Sequence, residues 1–268
     1  MLPTFVIIGA MKCGTTSLHK YLSEHPEVCM PEIKETNFFV TDQSYGRGLG
    51  WYESLYKKPA KAAGDTSPVY AQTWRYDGIP ERMHATLPQA RLIYVVRDPV
   101  ERLISQYKHH YAQGRESRPL SEAMADLKKY PYLNDSRYCQ NLRPYLKHYP
   151  QENVLVITAE DLKNERRATL RRVFEFIGVD PAFECPGADR EWHVTEAKFT
   201  TEKNFYNRFL PRKWLYALLQ KKWNPQLRPA PPSAEMSDTL RRQLIAELRD
   251  DIHAFRKLTG QSFAGWCV

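Results

Sequence analysis

Lys12, Thr15, Thr16 and Ser17 stand together in "GAMKCGTTSL", directly after the apolar run Phe5 to Ile8 and between or just beyond two glycines, Gly9 and Gly14. A buried strand that feeds a glycine-bounded turn and then a helix presents backbone N–H groups and the positive end of the helix dipole to an anion. Lys12 adds a full charge, and the three hydroxyl residues add donors in the first helical turn. The chemistry this favours is capture of a phosphate. The usual triphosphate loop, G-x-x-x-x-G-K-[ST], places its lysine directly after the second glycine. Here Thr15 holds that place and the lysine sits in mid-loop. A triphosphate also needs magnesium, held in part by an acidic residue at a neighbouring strand end. The strand "RLIYVV" instead runs into Arg97. Asp98 follows, and reads as the cap of the next helix or the partner of a neighbouring arginine rather than as a metal ligand. The residues therefore predict a site built from cations without metal, suited to a nucleotide whose phosphates are single and separated.

Several elements must position these groups. Phe5 to Gly9 is a continuous apolar strand, as expected where both sheet faces are covered. A helix follows over Ser17 to Ser23 and stops near His25-Pro26, because the residue before proline avoids the helical region. Further strands are expected from Ala62, running into a turn by Tyr70, over Arg91 to Val96, and in "NVLVITAEDL". A helix carries Arg102, Ser105 and His109 at helical spacing, another covers Cys139 to His148, and Arg167 to Val179 is a helix closed by Gly178. Leu120 to Lys129 is amphipathic. Strands alternating with helices give a P-loop-like three-layer α/β/α sandwich with a central parallel sheet. No linker divides the chain, so residues 1–268 read as a single domain, with a C-terminal helical tail over about 233–268 packed on it.

The 268 residues carry 39 Lys and Arg against 31 Asp and Glu, a formal charge of +8 that favours anionic partners. No zinc-finger spacing or RNP-type aromatic motif accompanies that charge, so nucleic acid is not expected. The five cysteines are widely spaced, without a C-x-x-C pair, which argues against a disulfide framework or a zinc site. With no signal-like N-terminus or long apolar stretch, the expectation is a cytoplasmic protein.

Three segments in order, "GAMKCGTTSL", "KETNFF" and "VVRDPVERLISQYKHH", resemble the sulfotransferase family, which uses 3′-phosphoadenosine 5′-phosphosulfate (PAPS). The similarity is closest to the branch of Golgi heparan sulfate sulfotransferases and their bacterial relatives. The motifs span about Phe5 to Lys198, and "LRDDIHAFRKLTGQSFAGW" resembles the end of bacterial members. The resemblance implies that Lys12, Cys13, Gly14, Thr15, Thr16 and Ser17 hold the 5′-phosphosulfate. It assigns the 3′-phosphate to Arg97 and Ser105 and the acceptor's base to Glu35. Lys12 would stabilise the charge on the departing oxygen. His109, one turn beyond Ser105, is a second catalytic candidate or a helix histidine with a local bond. His110 points elsewhere, and Arg102 reads equally as a site residue or as an external salt-bridge residue.

The same resemblance implies that "GDTSPVY" lies near the acceptor, with Asp65, Ser67 and Tyr70 as contacts, and Lys34 beside Glu35. Heparan-type enzymes often carry a lysine two residues before this proline, where the chain has Thr66. Trp192 would stack on adenine, and Thr195 or Lys198 would reach the 3′-phosphate. The basic, aromatic stretch 205–225 would touch a membrane surface, cover the acceptor cleft, or simply pack on the domain. The expected acceptor is a hydroxyl, or secondarily an amine, of a glycan, glycolipid or small metabolite. A P-loop kinase with an altered lysine and a non-catalytic nucleotide- or glycan-binding module are the alternatives.

Overall fold

The computed structural model describes residues 1–125, 131–189 and 236–268. Its centre is a five-stranded sheet of β1 (Phe5–Gly9), β2 (Val28–Cys29), β3 (Ala62–Thr66), β4 (Arg91–Val96) and β5 (Val154–Thr158), ordered β2-β3-β1-β4-β5. Every neighbouring pair is parallel. Every residue of β1 is buried, which is why its sequence is a continuous apolar run. Its register sets Ile7 against both Thr66 and Ile93, then slips so that Gly9 faces Tyr94. At Gly9 a β-carbon would lie 2.6 Å from that of Ala71, so only glycine lets the strand pass so close to its neighbour.

The helices are α1 (Thr15–Glu24), α2 (Asp42–Tyr45), α3 (Leu49–Ser54), α4 (Ile79–Thr86), α5 (Pro99–Ala112), α6 (Leu120–Ala125), α7 (Pro131–Asn134), α8 (Tyr138–Leu142), α9 (Ala159–Asn164), α10 (Arg166–Ile177) and α11 (Asp238–Thr259). Right-handed crossovers between parallel strands fix their sides. From β1 to β2 the chain moves one way across the sheet, and from β3 to β4 and β5 it moves the other. That places α1 on one face and α4 and α5 on the opposite one. α10 joins α1, since His25 packs on Phe174 with ring centroids 4.7 Å apart. α11 joins α5, bringing Phe255 to 6.3 Å from Tyr94 of β4. The result is the three-layer sandwich expected from the alternation of strands and helices.

Two boundaries differ from the sequence reading. The helix expected over Cys139 to His148 is broken: α8 ends at Leu142, and a short 3₁₀ turn covers Tyr145–Lys147. Pro144 lacks the N–H that a continuous helix would need there. Among the described residues of the tail the helix is α11, ended by Gly260 at φ 69. Residues 261–268 then fold back, and Phe263 and Trp266 stack with centroids 4.3 Å apart. Among the described residues no helix is long and apolar enough to cross a membrane.

Candidate functional site

β1 and β4 both end at one cleft of ≈ 680 Å³, the usual position for ligands of an open parallel sheet. The loop after β1 forms one wall. Lys12 takes φ 71, Gly14 caps α1 at φ 91, and no side chain caps that helix. The first-turn residues Thr15, Thr16 and Ser17 line the cleft with Lys12 and Gly14. Gly14 can adopt the left-handed angle that turns the chain directly into α1. Cys13 lines the same cleft, with its thiol turned inward. Its side chain is fully buried, with Sγ 3.9 Å from the Tyr138 hydroxyl, and burial pushes the thiol up to about 12. Only its backbone belongs to the loop, as a neutral thiol pinned underneath.

Arg97, Ser105 and His109 face the same cleft from the opposite wall. Arg97 extends from the end of β4, and Ser105 and His109 share one face of α5 at i, i+4. Asp98 caps α5: Oδ1 accepts from the N–H groups of Val100 and Glu101, each at 3.0 Å. Its Oδ2 accepts from the Cys267 N–H at 2.7 Å. Both oxygens are therefore engaged, as expected of a cap. His110 points away and bonds to the Tyr132 hydroxyl at 3.2 Å. Arg102 is neither a site residue nor an external salt-bridge residue. It is fully buried, donating to Ser136 Oγ and to the Tyr132 carbonyl, each at 2.6 Å.

Glu35 enters the cleft at φ 66 with its side chain half exposed and Oε1 2.5 Å from Lys34 Nζ. Its N–H donates to the Thr66 carbonyl at 3.0 Å, which ties this loop to the end of β3. The acceptor-side expectation for Asp65, Ser67 and Tyr70 fails, because all three are fully buried. Asp65 Oδ2 accepts from Thr36 at 2.7 Å, Tyr52 at 2.8 Å and Tyr70 at 2.9 Å, and Oδ1 accepts from Ser67 at 3.3 Å. Ser67 Oγ also accepts from the Asn37 N–H at 3.1 Å. Burial raises the Asp65 pKa while these four donors oppose the rise. The cluster holds the two residues that follow Glu35, Thr36 and Asn37, and of this segment only Pro68 reaches the cleft. Thr66 is also interior, with its hydroxyl 3.1 Å from His19 Nδ1. Burial, reinforced by Lys34 and Lys20, lowers the His19 pKa to about 4.

Four charged residues absent from the sequence reading complete the cleft: Arg115, Glu160, Lys163 and Arg166. Gly114 at φ 70 ends α5, and the Arg115 N–H folds back to the His110 carbonyl at 2.9 Å. The glycine was a signal for that turn. The Arg166 guanidinium lies 5.6 Å from the centre of the Tyr21 ring. In all, six Lys or Arg residues face two carboxylates, a field that favours an anionic ligand. Trp192, Thr195, Lys198 and the stretch 205–225 lie outside the described residues.

A helix-terminus loop with a mid-loop lysine, facing an arginine at the next strand end, is an arrangement that favours an anionic ligand in an α/β protein. Residues 2–229 match the sulfotransferase domain, and the chain belongs to that family. Across 99% of its length it is 29% identical to heparan sulfate glucosamine 3-O-sulfotransferase 3B1 of Mus musculus, of which it spans 65%. Across 67% of its length it is 29% identical to the human bifunctional heparan sulfate N-deacetylase/N-sulfotransferase 2, of which it spans 22%. A solved sulfotransferase from Alicyclobacillus acidocaldarius shares the fold, with TM-score 0.74 over 99% of both chains at 24% identity.

Proposed function

We propose that this protein transfers a sulfuryl group from PAPS to a hydroxyl, without a metal. The observation that carries the reading is the convergence of Lys12, Arg97, Ser105 and Glu35 on one cleft from three separate stretches of chain. The donor set fits the nucleotide. Lys12 and the first turn of α1 would take the 5′-phosphosulfate, and the Arg97 fork with the Ser105 hydroxyl would take the 3′-phosphate. The bound nucleotide supplies the sulfuryl group, whose bond to the 5′-phosphate breaks as a new S–O bond forms to the acceptor. Glu35 takes the proton from the acceptor hydroxyl, and Lys12 meets the charge that appears on the phosphate oxygen. Lys34, 2.5 Å from Glu35, holds that carboxylate at the cleft. His109 stands on the α5 face beside Ser105 and is assigned to help orient the acceptor.

The acceptor proposed is a sugar hydroxyl, in line with the names of the relatives, borne by a glycan, a glycolipid or a small glycosylated metabolite. The test has two arms. Adenosine 3′,5′-bisphosphate (PAP) without metal should raise the thermal midpoint, whereas Mg-ATP should not. Incubation with sulfur-labelled PAPS and a panel of glycans, glycolipids and glycosides should give a labelled product by mass analysis. Stabilisation by Mg-ATP alone would support a kinase. PAP binding with no label transferred to any acceptor would support a binding module.

A further inference from the structure

The peptide between Arg97 and Asp98 is held from three directions by residues remote in sequence. The Tyr138 hydroxyl donates to the Arg97 carbonyl at 2.7 Å and lies 3.4 Å from the Arg97 N–H. Glu160 Oε1 accepts from the Asp98 N–H at 3.0 Å. The Cys267 N–H donates to the Asp98 carboxylate at 2.7 Å. Arg97 needs such support because it falls between β4, which ends at Val96, and α5, which starts at Pro99. Neither the sheet ladder nor the helix ladder serves its backbone there.

Tyr138 is the centre of this bracket. It is fully buried, and its ring lies 5.6 Å from Phe255 and 5.7 Å from Trp266, both contributed by the C-terminal segment. Its hydroxyl also lies 3.9 Å from Cys13 Sγ. The short bond is the one to Arg97, while the contact to Cys13 beside Lys12 is long even for sulfur. Burial keeps that phenol neutral, raising its pKa well above the ordinary value. An arginine side chain loses substantial rotamer entropy when fixed on a phosphate, and a loose root would add backbone entropy to that loss.

We propose that Tyr138 is a positioning residue for the nucleotide's 3′-phosphate, acting by fixing the backbone of Arg97 through its hydroxyl. This rests on the nucleotide reading of the cleft given above. Tyr138→Phe keeps the ring and its packing and removes only the hydroxyl. Affinity would be measured by calorimetry for PAP and for AMP, which has the 5′-phosphate and lacks the 3′-phosphate. PAP binding should weaken about 10-fold, the scale of one buried hydrogen bond, while AMP binding changes less than about twofold. In an Arg97→Ala background the same change should leave PAP binding within about twofold. Urea unfolding would verify that the variant remains folded. Equal loss for PAP and AMP, no loss for either, or additive effects with Arg97→Ala would overturn the proposal while leaving the nucleotide reading intact. If the unaltered protein binds neither ligand, both fall.

Discussion

His19 should make the stability of this protein depend on pH in a window that a single substitution removes. The ring is buried behind the Glu35 loop, bonded to Thr66, and flanked by the positive charges of Lys34 and Lys20. Its pKa falls from 6.5 in an exposed histidine to about 4, with burial the larger cause. The unfolded chain therefore binds a proton between these values that the folded chain refuses. The stabilising contribution is complete above pH 6.5 and is lost as pH falls towards 4. The full gap corresponds to about 3 kcal/mol, of which about 2 kcal/mol is gone by pH 5. His19→Gln keeps a polar partner for the Thr66 hydroxyl but cannot titrate. Urea unfolding at pH 7 and pH 5 should show the parent protein losing about 2 kcal/mol more than the variant over that interval. Parallel losses in the two proteins would mean that His19 is hydrated or already protonated, and would refute the reasoning.

Glu35→Ala should lower kcat/KM about 10²- to 10⁴-fold while leaving PAP affinity unchanged, as expected for loss of a general base; calorimetry and labelled transfer separate the two quantities. Lys12→Ala should weaken PAP binding and also reduce turnover by about 10²-fold or more, because it removes charge both from the bound state and from the departing oxygen. Asp65→Asn should reduce kcat by about 10-fold or more with PAP affinity unchanged, since Thr36, Tyr52 and Tyr70 would lose a charged acceptor and release the Glu35 loop. Its urea midpoint should fall as well, because buried hydroxyls that shared the Asp65 acceptor are left poorly paired. A large loss of stability with full activity would reverse that assignment.

That the residues of two segments line one cleft was legible because each group is local in the chain. Gly9, Lys12, Gly14 and the hydroxyls of Thr15 to Ser17 fall within one strand-turn-helix, and Arg97 with Ser105 falls within another. Backbone geometry within each unit then brings the residue types together. The sheet was legible for a related reason: a strand covered on both faces must be apolar there, as β1 is throughout and β4 is from Leu92 onward, with Arg91 exposed at its start. What failed was the prediction of direction. The family resemblance put "GDTSPVY" at the acceptor, yet Asp65, Ser67 and Tyr70 turn inward. That choice depends on Tyr52 of α3 and Thr36 of the Glu35 loop, which supply partners from elsewhere in the chain and make a buried carboxylate tolerable. Arg102 failed in the same way, because Ser136 and Tyr132 lie 30 or more residues away in the chain.

These inward-facing polar groups connect the two walls of the cleft to the rest of the fold. Asp65 anchors the segment around Glu35, while Tyr138 and Asp98 anchor Arg97 and join it to α8, α9 and the C-terminal turn. A general base and a phosphate-binding cation approach one ligand only if their backbones are independently fixed, since a displacement of about 1 Å can lower a rate by about 100-fold. The buried polar clusters therefore lie directly behind the residues whose placement matters most. This also explains why the family resemblance placed Asp65 near the acceptor: it stands one layer behind Glu35, which lines the cleft.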